Sequence, residues 1–403
     1  MRLLIISLSI LCLFIECNKT KNRYNDPIIK SADIVYNSSP GICPSIVRTI
    51  GGDLIVTFVA HGDCVPGDSS QMVKSIDNGK TWSAPFKVFR NENPLGSRSV
   101  SLYNVPNGNW SAGELICSIL DVTWEDYPKG VADPNWNSLV SSRKFESYYC
   151  FTKDDGNTFS EKKFLNDSKR NGFPQGGILE LRNGDLIWPW GNWGLDPLNG
   201  FKRSTDGGKS WETTIPAWQD PPPGVLEPIG FNETAVIVCK NGKLLAIARV
   251  DGYNNNDKRF WQIISIDNGK TWSKPKQIDI QGGSPALYCT PSGQLWLAYR
   301  DGGIGPGLGL AVSDDNGENW RFLYHLKEPT GEHEKLYGKI KYTGEDRTKT
   351  WRPAEGIVGY PCFAKLSETE VYVVFHAMSR AMMEEKFPET PFYVVGNLLE
   401  IPR

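Results

Sequence analysis

The residues of this chain that could do chemistry stand in short clusters between long apolar stretches. Glu233 and Arg249 lie sixteen residues apart around the run Gly242-Lys-Leu-Leu-Ala-Ile-Ala248. Such a pair is either an ion pair inside one sheet or a carboxylate and a cation facing a ligand. Tyr360 sits in Gly359-Tyr-Pro-Cys-Phe363. A phenol with an ordinary pKa of about 10 is a poor nucleophile unless a carboxylate takes its proton; otherwise it is a core aromatic. Arg300 precedes Asp301, an arrangement that suits a surface pair or an anion holder. The stretch Ala60-His-Gly-Asp-Cys-Val-Pro-Gly-Asp68 carries His61, Asp63 and Asp68, either general acids or turn residues. His61 and His376 can be read as catalytic or structural. Trp188, Trp190 and Trp193 are close enough in sequence to form a sugar-stacking platform or to fill a core. The four His and the Cys residues show no metal-type spacing, so neither a metal nor a cofactor is expected.

The elements that must hold these residues come from a repeat. Ser75-Ile-Asp-Asn-Gly-Lys-Thr-Trp82 recurs as Ser265-Ile-Asp-Asn-Gly-Lys-Thr-Trp272, with variants at Ser204–Trp211, Ser313–Trp320 and, more weakly, Thr152–Phe159. Asp followed by Asn-Gly or Gly-Gly favours a tight hairpin turn, because Gly accepts positive φ. The Asp can bond backbone N–H groups in the turn, and the Trp supplies apolar surface between sheets. The box is therefore a structural staple. A second repeat is a Gly-x-Leu start leading into an apolar strand, at Gly52, Gly113, Gly184, Gly242 and Gly293; Val371–Phe375 matches it without the Gly. Nearly continuous apolar runs point to strands covered on both faces. The expectation is an all-β, six-bladed β-propeller; a seventh blade stays open if 327–357 hides one.

The chain has 403 residues and a net charge of −2, which argues against non-specific attraction to nucleic acid. Residues 1–17, with Arg2 ahead of an apolar run to Ile15, read as a signal peptide too short to span a membrane. Cys17 stands where bacterial lipoproteins are acylated, although Glu16 replaces the usual small residue. A tether through lipidated Cys17 and ordinary cleavage both remain open, with a periplasmic, cell-surface or secreted location expected. Residues 18–30 read as a linker and 31–403 as the propeller domain. The later cysteines are read chiefly as small buried hydrophobes, and Asn-x-Ser/Thr sequons begin at Asn37, Asn109, Asn166 and Asn232.

Boxes on a six-unit chain resemble the sialidase (neuraminidase) superfamily over roughly residues 30 to 395. The resemblance implies that Glu233 activates Tyr360 as nucleophile and that Arg249 and Arg300 hold a substrate carboxylate. It further implies that Asp68, with Asp63 in reserve, is the acid/base, giving a retaining exo-glycosidase on a terminal acidic sugar. Asp63 and His61 would line the substrate. The family's opening Arg-Ile-Pro motif is altered here: in Gly41-Ile-Cys-Pro44, Ile42 occupies the Arg position. That leaves sialic acid itself in doubt as the substrate. Two further readings stay open. One is a propeller-type lyase on uronate glycans, recruiting Arg249, Tyr360 and His61. The other is a non-catalytic glycan-binding propeller. In each the partner is a glycan.

Overall fold

The computed structural model describes residues 25–38, 41–60, 65–104, 114–127, 135, 138–139, 142–166, 172–191, 199–218, 230–251, 258–301, 307–327, 358–378 and 392–402. A first strand, β1 (Ile28–Tyr36), starts within the stretch read as a linker. Blade 1 follows as β2 (Ile42–Arg48), β3 (Leu54–Ala60), β4 (Ser69–Ser75) and β5 (Lys87–Arg90). Blade 2 is β6 (Gly96–Asn104), β7 (Leu115–Thr123), β8 (Lys144–Thr152) and β9 (Lys163–Phe164). Blade 3 is β10 (Phe173–Pro174), β11 (Leu179–Glu180), β12 (Leu186–Gly191), β13 (Gly200–Ser204) and β14 (Ile215–Pro216). Blade 4 is β15 (Gly230–Val238), β16 (Leu244–Asp251), β17 (Arg259–Ser265) and the first part of β18 (Lys276–Cys289). The rest of β18 opens blade 5, with β19 (Leu295–Asp301), β20 (Gly307–Ser313) and β21 (Arg321–His325). Blade 6 is β22 (Val358–Lys365), β23 (Glu370–Met378) and β24 (Phe392–Glu400), completed by β1 pairing antiparallel with β24.

The described residues thus form six antiparallel blades, and the N-terminal strand closes the ring by completing the last one. The segment 327–357, read as a hiding place for a seventh blade, lies almost entirely outside the described residues. First strands are neighbours around the axis: β15 lies by β18, β18 by β22, β22 by β2 and β2 by β6. The six apolar starts are the second strands β3, β7, β12, β16, β19 and β23, counting β10 and β11, which both pair with β12, together as the first strand of blade 3. Their unbroken hydrophobicity has a plain cause. In β16, Leu244, Ala246 and Ala248 pack with Ile187 and Phe201 of blade 3, while Leu245 and Ile247 pack with Leu295 and Leu297 of blade 5. Both faces are buried, so alternation is lost.

Each box links the third and fourth strands of blades 1 to 5. In the first, Asp77 Oδ1 accepts the Thr81 N–H at 2.9 Å and Oδ2 accepts its hydroxyl at 2.6 Å. The Ser75 hydroxyl donates to Asp77 and accepts the Gly79 N–H, both at 2.8 Å. Asn78 and Gly79 have φ of 60° and 88°, the successive left-handed residues that a tight turn requires. The Thr81 and Ser75 donors hold the Asp77 carboxyl down to about 2, and in the fourth box, against the opposing effect of burial, Thr271 and Ser265 do the same for Asp267. The box aromatics reach the preceding blade, as with Trp272 stacked on Phe201 at 4.5 Å and Trp82 against Tyr372 at 6.0 Å. Cys117 and Cys150, opposite one another in β7 and β8, are buried thiols, in keeping with small core residues.

Candidate active site

Four blades carry the same irregularity at one end of their first strand. The residue pairs Ile42–Val59, Asn232–Arg249, Gly283–Arg300 and Gly359–His376 are in register. In each strand the next residue is extruded, and the register resumes at Ser45, Ala235, Ala286 and Cys362. The extruded residues are Cys43, Glu233, Ser284 and Tyr360, with φ of 51°, 49°, 48° and 51°. A β-bulge with a left-handed residue re-aims that side chain and ends ordinary pairing. For a non-glycine this conformation costs on the order of 1–2 kcal/mol, and here four blades repeat it.

Three of the four extruded side chains meet. Glu233 Oε1 accepts the Tyr360 hydroxyl at 3.2 Å and Arg249 Nη1 at 2.9 Å. Glu233 Oε2 accepts the Ser284 amide at 2.7 Å and its hydroxyl at 3.3 Å. Ser284 Oγ in turn accepts Arg300 Nη2 at 2.9 Å, and Arg300 Nε donates to the Val358 carbonyl at 3.0 Å. The Arg300 guanidinium lies 5.5 Å from the centroid of the Tyr360 ring. Among the described residues the carboxylate thus receives donors from three blades, and its own bulge is capped by Asn232 Oδ1, which accepts the Glu233 amide at 2.8 Å. Glu233 and Arg249 keep 14% and 22% of their side-chain surface, so both are partly exposed.

Two glycines make room for the arginines. A Cβ on Gly283 would lie 3.2 Å from Arg249 Cδ. One on Gly359 would lie 2.8 Å from Arg300 Nη2 and 3.3 Å from His376 Cε1. His376 is 2% exposed, its Nδ1 accepts the Cys43 amide at 3.3 Å, and its ring stands 5.6 Å from that of Tyr360. Burial, and next the charge of Arg300, push the imidazole well below its ordinary pKa, so it is neutral.

The residues singled out by sequence divide as follows. Glu233, Arg249, Arg300 and Tyr360 form one cluster. Arg300 bonds away from Asp301, which instead faces His325 at 2.8 Å. Asp68 stands beside Ser69, which pairs with Ala60, so it lies at the same end of blade 1 as Cys43. It is 1% exposed, and its Oδ1 accepts the Ser69 amide at 2.8 Å. His61 and Asp63 lie outside the described residues. Ile42 is buried against Val59 and Cys43, so this position offers no cation. The Trp platform does not form from Trp188 and Trp190. They are 0% and 3% exposed in the core between blades 2 and 3, and Trp188 Nε1 donates to the Gly176 carbonyl at 3.0 Å. Trp193 is outside the described residues. The Asn166 and Asn232 sequons are occupied by internal bonds, Asn166 Oδ1 accepting the Ser147 amide at 2.6 Å.

Ser284 escaped the sequence reading, yet a signal was present. Proline cannot donate to a ladder and inside a strand marks a bulge. Cys43, Ser284 and Tyr360 all precede proline, and Ser284 precedes Arg300 by the same sixteen residues that separate Glu233 from Arg249.

A ring of box-bearing blades with a carboxylate, a phenol and two arginines gathered at one end defines a propeller of the sialidase class. The BNR repeat-like domain family matches residues 127–373, more than half of the chain, and the chain belongs to that family. A sialidase of Bacteroides fragilis (strain YCH46) is 26% identical over 171 residues, covering 33% of this chain and 30% of that protein. The chain thus matches less than a third of the length of that relative. Among solved structures, a Dyadobacter fermentans protein of unknown function superimposes with a TM-score of 0.65 at 18% identity, over 93% of this chain and 99% of that one. A Hadza microbial sialidase, Hz136, superimposes with a TM-score of 0.61 at 15% identity, over 91% and 68% of the two chains. These two likenesses show the fold.

Proposed function

We propose that the protein is an exo-acting glycoside hydrolase that removes a terminal acidic sugar with retention of configuration. Tyr360 Oη attacks the anomeric carbon while its proton passes to Glu233 Oε1, and the bond to the leaving oxygen breaks. An acid on the 61–68 loop protonates that oxygen and afterwards takes a proton from the water that hydrolyses the glycosyl-tyrosine. Asp68 is the first candidate; because it is buried, this role requires the loop to present it, and Asp63 is the reserve. Arg249 and Arg300 hold the sugar's carboxylate, and a neutral phenol avoids the repulsion a carboxylate nucleophile would meet there. Ile42 removes one cation from this clamp. Losing one charged hydrogen bond costs about 1.5–3 kcal/mol, so another acidic sugar is as good a candidate substrate as sialic acid. Residues 1–17 would direct export, with Cys17 as a lipid tether where it is acylated.

The observation that supports this reading is the Tyr360 hydroxyl donating to the same Glu233 oxygen that Arg249 holds. The test is a panel of aryl glycosides of acidic sugars, followed by a fluorinated analogue of whichever is cleaved. A stable sugar adduct mapped to Tyr360 by mass spectrometry, absent from Tyr360→Phe, is expected. An unsaturated, ultraviolet-absorbing uronate product would replace hydrolysis by elimination, and turnover unaffected in Tyr360→Phe would overturn the assignment.

A further inference from the structure

The repeated bulge assigns an equivalent partner to each extruded residue, sixteen positions on: Val59 for Cys43, Arg249 for Glu233, Arg300 for Ser284 and His376 for Tyr360. His376 therefore occupies on blade 6 the place that the two arginines occupy on blades 4 and 5. It differs from them in burial and in partner. Its Nδ1 accepts the amide of Cys43, the extruded residue of blade 1, so the ring's proton is on Nε2. That bond crosses the seam where the first and last blades meet, since β2 and β22 are neighbours there. The imidazole ring is tilted by 49° to the Tyr360 ring with the centroids 5.6 Å apart, and its Cε1 shares with Arg300 the space above Gly359.

We propose that His376 is a positioning residue for Tyr360, an imidazole anchored to blade 1 through the Cys43 amide that braces the phenol at the angle from which its hydroxyl reaches Glu233. The hydroxyl–carboxylate distance of 3.2 Å is long for an O–H···O bond, so a small tilt of the ring breaks it. An arginine at this place would set a second cation beside Arg300, whereas an imidazole supplies an acceptor and a flat face without charge. The kinetic half of the proposal rests on the glycosidase reading; the structural half does not.

The experiment places 3-fluorotyrosine at position 360 of the full chain and compares the parent with His376→Ala and His376→Asn. The Asn amide keeps an acceptor near the Nδ1 place. A braced ring gives two resolved fluorine resonances of unequal intensity in the parent, one averaged line in His376→Ala and two lines again in His376→Asn. On a cleaved substrate, kcat of His376→Ala falls about 10- to 100-fold with KM within about 3-fold, and Asn recovers it to within about 5-fold. A parent fluorine pattern retained in His376→Ala, or a change in KM alone, overturns the proposal. If the parent cleaves no acidic glycoside, the glycosidase reading fails and the fluorine pattern alone decides the role of His376.

Discussion

Replacing Ser284 by glycine separates the chemistry of the site from the stability of its scaffold. The hydroxyl is 2.9 Å from Arg300 Nη2 and 3.3 Å from Glu233 Oε2, while the Ser284 amide keeps its own 2.7 Å bond to that carboxylate. Removing Oγ deletes one good charge-assisted bond and one long one. The first is worth about 1.5–3 kcal/mol where the guanidinium must stay aimed, a loss of roughly 10- to 150-fold in kcat/KM. The backbone responds in the opposite sense. Ser284 has φ of 48°, a conformation glycine adopts without the roughly 1–2 kcal/mol cost to an L-residue. Against this stands glycine's greater freedom in the unfolded chain, worth about 0.5–1 kcal/mol. The two offset, so Ser284→Gly should melt within about 3 °C of the parent. Ser284→Ala, which loses the same hydroxyl and keeps the strained φ, should match it in activity and be the less stable by about 1 kcal/mol. Steady-state kinetics on the cleaved glycoside and denaturant melts read both quantities. A fall of less than about 3-fold in kcat/KM in the folded Gly variant would refute the role given to Ser284. So would an activity loss that only follows a collapse in stability.

Other outcomes follow from the same geometry. In Gly359→Ala the new methyl must displace Arg300 from its bond to Val358, so affinity for an anionic ligand, measured by calorimetry, should drop at least about 10-fold with the melting temperature little changed. Trp188→Ala, which empties a fully buried site, should cost about 3–5 kcal/mol in denaturant melts, yet leave glycan affinity of the folded protein at the parent's value. Equal loss of affinity would restore the stacking platform. The box carboxyls of Asp77 and Asp267 have folded pKa values of about 2, below their ordinary value. The stability they contribute is full above about pH 4 and fades as pH falls through 2. A chain carrying Asp77→Asn and Asp267→Asn should therefore be less stable than the parent at pH 7, with the difference closing towards pH 2. A difference independent of pH would assign the effect to packing.

Much of this protein was legible in its residues because the signals are local. The box is a turn whose bonds run between residues two to four apart, so Ser75, Asp77, Gly79 and Thr81 declare it unaided. The second strands are buried on both faces, so their apolar runs stand out, and six of them counted the blades. The sixteen-residue separation of Glu233 and Arg249 is the length of one bulged hairpin and could also be read. Ser284-Pro285 could have been, since proline inside a strand marks a bulge. What the chain could not declare is which bulges face one another. Tyr360 lies 127 residues from Glu233, and Cys43 lies 333 from His376; closure of the ring by β1 against β24 sets those meetings. Burial was likewise decided by the fold. Three nearby tryptophans look alike in sequence whether they face a ligand or the next blade, and packing between blades 2 and 3 took Trp188 and Trp190 into the core. Local hydrogen-bond chemistry thus determined the blades and the bulge residues. Only the closed ring, which fixes the angle between blades, decided that a glutamate, a serine and a tyrosine from three of them share one site.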